Sequence, residues 1–145
     1  MKIEIDITPH MIADLMTSAI ESGDPVTTYR KGGWCSGIYY RAKDAEPPEG
    51  FWYSEAKTYA APDFQIAVHE VADESEYDPD EPDEANIAKG ALVIHTITAD
   101  KFRHGLIVMA QRFPHHFADA IRGHGDAATA DILLQAICFG EEKYA

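Results

Sequence analysis

Two runs rich in β-branched residues constrain this chain more than any other feature: FQIAVHEV, Phe64 to Val71, and ALVIHTIT, Ala91 to Thr98. Both read as interior strands. Between them lies DESEYDPDEPDE, Asp73 to Glu84, in which eight of twelve residues are carboxylates and two are prolines. The runs are therefore expected to pair antiparallel about a centre near Pro82, across a connection of roughly 18–20 residues. Loops beyond about 12–15 residues are uncommon unless they are functional or disordered. This one lacks apolar anchors and repels itself, so its composition allows disorder over about 73–89.

The flanking sequence supplies the rest of a fold. Lys2 to Ile7 alternates strictly and reads as a half-buried strand. Thr8 and Pro9 form a helix-start signal, with Met11, Ile12, Leu15, Met16, Ala19 and Ile20 at helical spacing and Gly23 as a stop. The helix is expected over about 9–22. A loop over 24–33 leads to WCSGIYYR, Trp34 to Arg41, which has the aromatic content of a strand. Residues 42–50 carry two prolines and a glycine and read as a loop, and FWYSEA from Phe51 reads as a second short strand pairing with the first. After Thr98 the pattern turns helical. Thr98 or Asp100 caps a helix that carries Phe102, Leu106, Ile107, Ala110 and Phe113 along one face. Pro114 opens a short helix ending at Gly123, and Asp126 caps a final helix ending at Gly140. That last helix is apolar nearly all round, as a helix buried on several sides is. Strands early and helices late predict an α+β fold: a small antiparallel sheet packed by an N-terminal helix and a C-terminal helical cluster, in a single domain over 1–145.

Charge narrows the range of partners. The net charge is −13, of which Asp73 to Glu84 supplies eight negative charges and no positive one, so the remainder carries −13 + 8 = −5. Nucleic-acid binding relies on Lys and Arg neutralising phosphates, so direct contact with nucleic acid or an anionic membrane is disfavoured. A protein with a basic surface is the favoured partner. No stretch approaches the roughly 18–20 apolar residues of a membrane span, and the opening residues lack the apolar block of a secretory signal, so the expected location is the cytoplasm. The two cysteines, Cys35 and Cys138, make neither a disulfide framework nor a CxxC site.

Several groups invite a chemical reading. Gly33 to Gly37 matches G-x-C-x-G, yet the strand–turn–helix context of a nucleophile elbow is absent, so Cys35 is expected at a strand edge. His115, His116 and His124 lie near Asp119 and Asp126 but match no metal-binding spacing, and adjacent helical histidines point about 100° apart. His69 and His95 sit one in each of the two best strands. Pairing about Pro82 places them opposite or diagonal on one face, where two imidazoles could hold a metal or exchange protons, with Glu70 on the other face. The plainer expectation is a hydrogen-bonded pair on a half-buried face. Prolines 79 and 82 break the ligand pattern of a calcium loop, and there is no glycine-rich phosphate loop. No cofactor is implied. The acidic residues Asp73, Glu74, Glu76, Asp78, Asp80, Glu81, Asp83 and Glu84 are the candidate partner-binding set. Carboxylates can imitate the phosphates of a nucleic acid, but only when the fold fixes their positions.

The last twenty residues, DAATADILLQAICFGEEKYA, carry a pattern D-A-x-T-A-D-x-x-x-Q-x-x-x-F-G-E-x-x-Y in Asp126, Ala127, Thr129, Ala130, Asp131, Gln135, Phe139, Gly140, Glu141 and Tyr144. In this the chain resembles a group of small uncharacterised bacteriophage and prophage proteins. It departs from that group in its long acidic insertion and in ending on Ala145. The resemblance implies a phage or prophage origin and no particular chemistry. Together these readings lead to an expected non-enzymatic protein that modulates a host nucleic-acid-binding or defence complex through its acidic surface. The alternative is a small metal-dependent enzyme using the strand or C-terminal histidines.

Overall fold

The computed structural model describes residues 6–21, 33–41 and 51–144. Helix α1 spans Pro9–Glu21, and Thr8 starts it by accepting a hydrogen bond from the Met11 amide (3.3 Å). Strand β1, Cys35–Tyr40, is followed by a 3₁₀ turn at Trp52–Ser54 and the short helix α2, Ala56–Ala60. Strand β2 is Gln65–Val71, helix α3 is Asp83–Ala88, and strand β3 is Leu92–Thr98. Helices α4 (Ala99–Arg112), α5 (Pro114–Ile121) and α6 (Ala127–Phe139) complete the chain. The sheet is antiparallel throughout, in the order β1-β2-β3, with the two strongest strands adjacent. This is the α+β arrangement expected, with the four longer helices at the two ends of the sequence and two short ones between the strands.

Helix boundaries follow the local signals. The Thr98 hydroxyl, not Asp100, caps α4 by accepting from the Lys101 amide (3.3 Å). Pro114 opens α5, and Asp126 caps α6 by accepting from the Thr129 amide (2.9 Å). Gly140 ends α6 with φ +70°, a left-handed conformation that favours glycine. The core forms where one sheet face, with Ile66, Val68 and Ile97, meets Met16, Phe102, Met109, Leu133 and Leu134 of the helices. Helix α6 buries most of its circumference, from Ala130 to Ile137 except Asp131. Helix α4 approaches it closely at Gly105, where an added Cβ would stand 2.7 Å from the Ile137 Cα.

Two expectations change. The aromatic run from Phe51 forms the 3₁₀ turn and the start of α2 rather than a strand. Its rings serve tertiary packing: Trp52 meets Tyr40 (5.7 Å between centroids), and the Tyr53 hydroxyl donates to Glu21 at the end of α1 (3.0 Å). The hydroxyls of Ser54 and Thr58 close the turn on the carbonyls of Phe51 and Trp52 (2.8 Å each). The connection between β2 and β3 also carries structure that composition did not suggest, namely helix α3 and a set of turns. Of the strand expected over Lys2–Ile7, residues 2–5 lie outside the described residues, and Asp6 and Ile7 are not in a strand. The loop expected over 42–50 lies outside them too, as does that over 24–33 except Gly33.

Candidate functional site

Register decides what the strand histidines can do. Val68 pairs with His95 and His69 with Ile94, so the hairpin centre lies half a residue short of Pro82. Side chains alternate along a strand, and a one-residue shift in pairing moves a side chain to the other face. His69 and His95 therefore lie on opposite faces, which corrects the expected pair and removes the two-imidazole metal site. The same shift puts Glu70 on the face of His95.

Glu70 is the most consequential residue on that face. Its side chain is 4% exposed, beside Val68 on the helix-packed side of the central strand. A buried carboxylate needs donors for both oxygens. His95 Nε2 lies 2.9 Å from Oε1, Lys143 Nζ donates to Oε2 (2.7 Å), and the Tyr144 hydroxyl donates to the same oxygen. Burial alone would raise the pKa of Glu70, but the bonds from Lys143, Tyr144 and His95 outweigh it and hold the group below its ordinary value. The ionised carboxylate in turn raises the pKa of Lys143; burial, followed by Glu70, raises that of Tyr144. His95 must then present Nε2–H to the carboxylate.

The donors arrive on the segment after α6, and α6 itself holds that segment. Gln135 is fully buried and pairs its side-chain amide with the backbone of Tyr144 in both directions: Tyr144 N donates to Oε1 (2.8 Å), and Nε2 donates to Tyr144 O (2.9 Å). Gln135 Nε2 also donates to Asp131 Oδ2 (2.9 Å), whose other oxygen accepts from Trp34 Nε1 (2.7 Å). The Trp34 ring stacks parallel to Tyr144 (5.9 Å) and meets Phe139 edge-on (5.3 Å). Asp131, Gln135, Phe139, Gly140 and Tyr144 of the C-terminal pattern thus have one shared task, docking residues 141–144 against the sheet. Every oxygen of Glu70 is engaged by the chain itself, so the quartet is a latch.

The acidic segment lies over the opposite face, as a lobe with its own internal supports. Asn86, fully buried in α3, accepts from the Asp78 amide (3.0 Å) and donates to the Asp78 carbonyl (2.8 Å), tying the middle of the segment to the helix. Asp73 turns the chain by accepting from the amide and hydroxyl of Ser75 (3.1 and 2.6 Å), which lowers its pKa. The Ala72 amide donates to the Ala91 carbonyl (2.9 Å), extending the hairpin to the lobe's base. Asp83 and Glu84 occupy the first turn of α3, where the helix dipole favours negative charge. His69 joins lobe to sheet, with Nδ1 3.6 Å from Asp83 Oδ2 and its ring 4.6 Å from that of Tyr39. Burial lowers the pKa of His69 against the opposing pull of Asp83. Asp73, Glu74, Glu76, Asp80, Glu81, Asp83 and Glu84 are all exposed and Asp78 is half-buried, with Lys89 paired to Glu81 (3.2 Å).

The remaining candidates are placed elsewhere. Cys35 is fully buried, its Sγ directed at the Gly37 carbonyl (3.5 Å), and burial pushes its pKa up to about 12, so it is no activated nucleophile. His116 Nδ1 lies 3.0 Å from the Thr129 hydroxyl, while His115 and His124 are exposed. Among the described residues no three His, Cys, Asp or Glu side chains converge as metal ligands, and no helix is long and apolar enough to cross a membrane. Sequence reasoning missed Glu70, Asn86, Lys143 and Tyr144. One signal was available for Glu70: a lone carboxylate in an apolar interior strand has to be paired. Compared with known family models, curated proteins and solved structures, the chain finds no match in any of the three.

Proposed function

We propose that this chain is a non-enzymatic binding protein that engages a basic protein surface through the acidic lobe. The observation that supports this is the way the lobe is held. Asn86, the Asp73 turn, helix α3 and the Asp83–His69 contact give the segment that carries the eight carboxylates a folded backbone beside one face of the sheet. A fixed array loses less conformational entropy on binding than a floppy one, and it can match a pattern of cations rather than merely attract them. Resemblance of the C-terminal residues to phage and prophage proteins directs the choice of partner. A host nucleic-acid-binding or defence complex, met in the host cytoplasm, offers the basic groove such an array fits.

The test is affinity capture from host lysate at low and moderate salt, comparing the intact chain with two variants. In one, the eight carboxylates of 73–84 become their amides, which keep the turn-forming acceptors and discard the charge. In the other, Asn86→Ala loosens the array and leaves the charge alone. A partner that is lost from the amide variant, weakened with Asn86→Ala and released steeply by salt supports the reading. A partner retained by the amide variant, or indifferent to salt, overturns it.

A further inference from the structure

Helix α4 carries Phe102, Arg103, Leu106, Ile107 and Ala110 on one side, at the spacing that lines up residues along a helix face. The helices around it cover this stripe only in part. Phe102 and Leu106 are buried at its floor, whereas Ile107 remains 49% exposed at its rim. Between the stripe and the start of α1, α2 and α5 lies a cavity of about 360 Å³, open to solvent on one side. Its far wall is aromatic, with the rings of Tyr59 and Phe64 5.1 Å apart. The Tyr59 hydroxyl is committed to the Tyr53 carbonyl (2.6 Å), so Tyr59 offers the cavity only its ring.

The polarity of the lining is selective. Among the described residues no Asp or Glu lines the cavity, and the one charged side chain that does is Arg103. Its ion pair with Asp100 (3.0 Å) joins side chains that are 71% and 90% exposed, a pairing that water weakens and an incoming anion can replace. A ligand that fits therefore has an apolar body and one anionic end. At the ~30 Å³ occupied by a liquid water, and with a methylene of similar size, the cavity holds an aliphatic chain of about ten carbons. Cavities of this size and apolar character are the usual form of small-molecule sites. We infer that this cavity binds a free medium-chain fatty carboxylate, its tail on Phe102 and Leu106 and its head at Arg103.

Calorimetric titration of the intact chain with decanoate, decanol and decylammonium, all below their micellar concentrations, tests this. The expected result is one saturable decanoate site, with the neutral and cationic analogues weaker. Removing one methylene should weaken binding about fourfold, the factor that corresponds to ~0.8 kcal/mol per buried CH₂. Arg103→Gln, at a solvent-exposed side chain, should weaken decanoate about tenfold and leave decanol unchanged. Ile107→Glu, at the exposed rim, should weaken decanoate by more than tenfold. Circular dichroism confirms that both variants are folded. Absence of saturable uptake overturns the inference, as does binding indifferent to the head group or to Arg103→Gln. Attachment to anionic phospholipid vesicles, or capture of an amphipathic peptide helix, without uptake of free decanoate overturns it too.

Discussion

Glu70 is held ionised inside the sheet because three donors converge on it from two directions, His95 across the strand pair and Lys143 with Tyr144 from the segment after α6. Leaving a buried charge-assisted acceptor without a partner costs roughly 1–3 kcal/mol. Tyr144→Phe is therefore expected to lower stability to urea by about 1–2 kcal/mol, and Glu70→Gln by about 2–3 kcal/mol, the larger loss because all three bonds weaken. The pH dependence follows from the direction of the Glu70 shift. Its folded pKa lies below the ordinary 4.5, so the folded chain binds fewer protons there than the unfolded chain does. The stabilisation is complete above about 4.5 and is lost as pH falls through the lower folded value. Trp34, stacked on Tyr144, reports the docking. With Trp52 replaced by Phe, its fluorescence should change with a midpoint below 4.5, and Glu70→Gln should abolish that transition; an unaltered transition would show that another group governs it. At this scale the sequence was informative about caps and silent about partners. Thr8 and Asp126 cap helices through residues three positions away. Glu70 finds Lys143 and Tyr144 across more than seventy residues, a distance no local pattern spans.

Helices α4 and α6 approach so closely at Gly105 that the Ile137 side chain and the Ile137 backbone both fill the space a Cβ would need. Two effects compete in Gly105→Ala. Helix propensity favours alanine by about 1 kcal/mol, while overpacking costs about 1–3 kcal/mol. Overpacking wins because the Ile137 Cα cannot rotate away, so the expected net outcome is a lower denaturation midpoint; a raised midpoint would show that the helices separate freely. The lobe gives a contrasting prediction. Asn86→Ala removes the side chain that binds both the amide and the carbonyl of Asp78, yet it leaves the helical core untouched. Amide exchange should accelerate at Asp78 and through the first turn of α3, while α6 keeps its protection. Uniform acceleration would mean that the lobe and core unfold together. Elements with regular periodicity and caps, α1 and α4 to α6, were legible in sequence, as were the three β-branched or aromatic strands. The run at Phe51 was not. Aromatic residues suit a strand and a packed turn equally, and contacts with Tyr40 and α1 decided between them. Helix α3 was concealed by its charge and prolines, since its one buried polar anchor, Asn86, is recognisable only beside Asp78.

Over the whole molecule the charge is uneven, with eight of the carboxylates behind a net −13 confined to one lobe. Like charges held close destabilise the compact state, and salt screens them, with a Debye length of about 30 Å at 0.01 M falling to about 10 Å at 0.1 M. The melting temperature is therefore expected to rise with salt over that range, and the variant carrying amides at 73–84 should lose most of the rise. An equal salt response in both chains would place the repulsion elsewhere. The sequence by itself determined the fold class, the long helices and the three sheet strands, the caps of α1, α4 and α6 and the concentration of charge, because each of these is set by neighbours within a few residues along the chain. The tertiary structure alone decided which side chains meet. Half a residue in the centre of the hairpin separated His69 from His95 and gave Glu70 to His95, since every strand side chain changes face with each step of pairing. Contacts within the hairpin connection turned the acidic segment into a supported lobe, and distant ones turned the C-terminal pattern into a latch. Such contacts depend on where the backbone returns in space, and that is settled only when the core of α4, α6 and the sheet has closed.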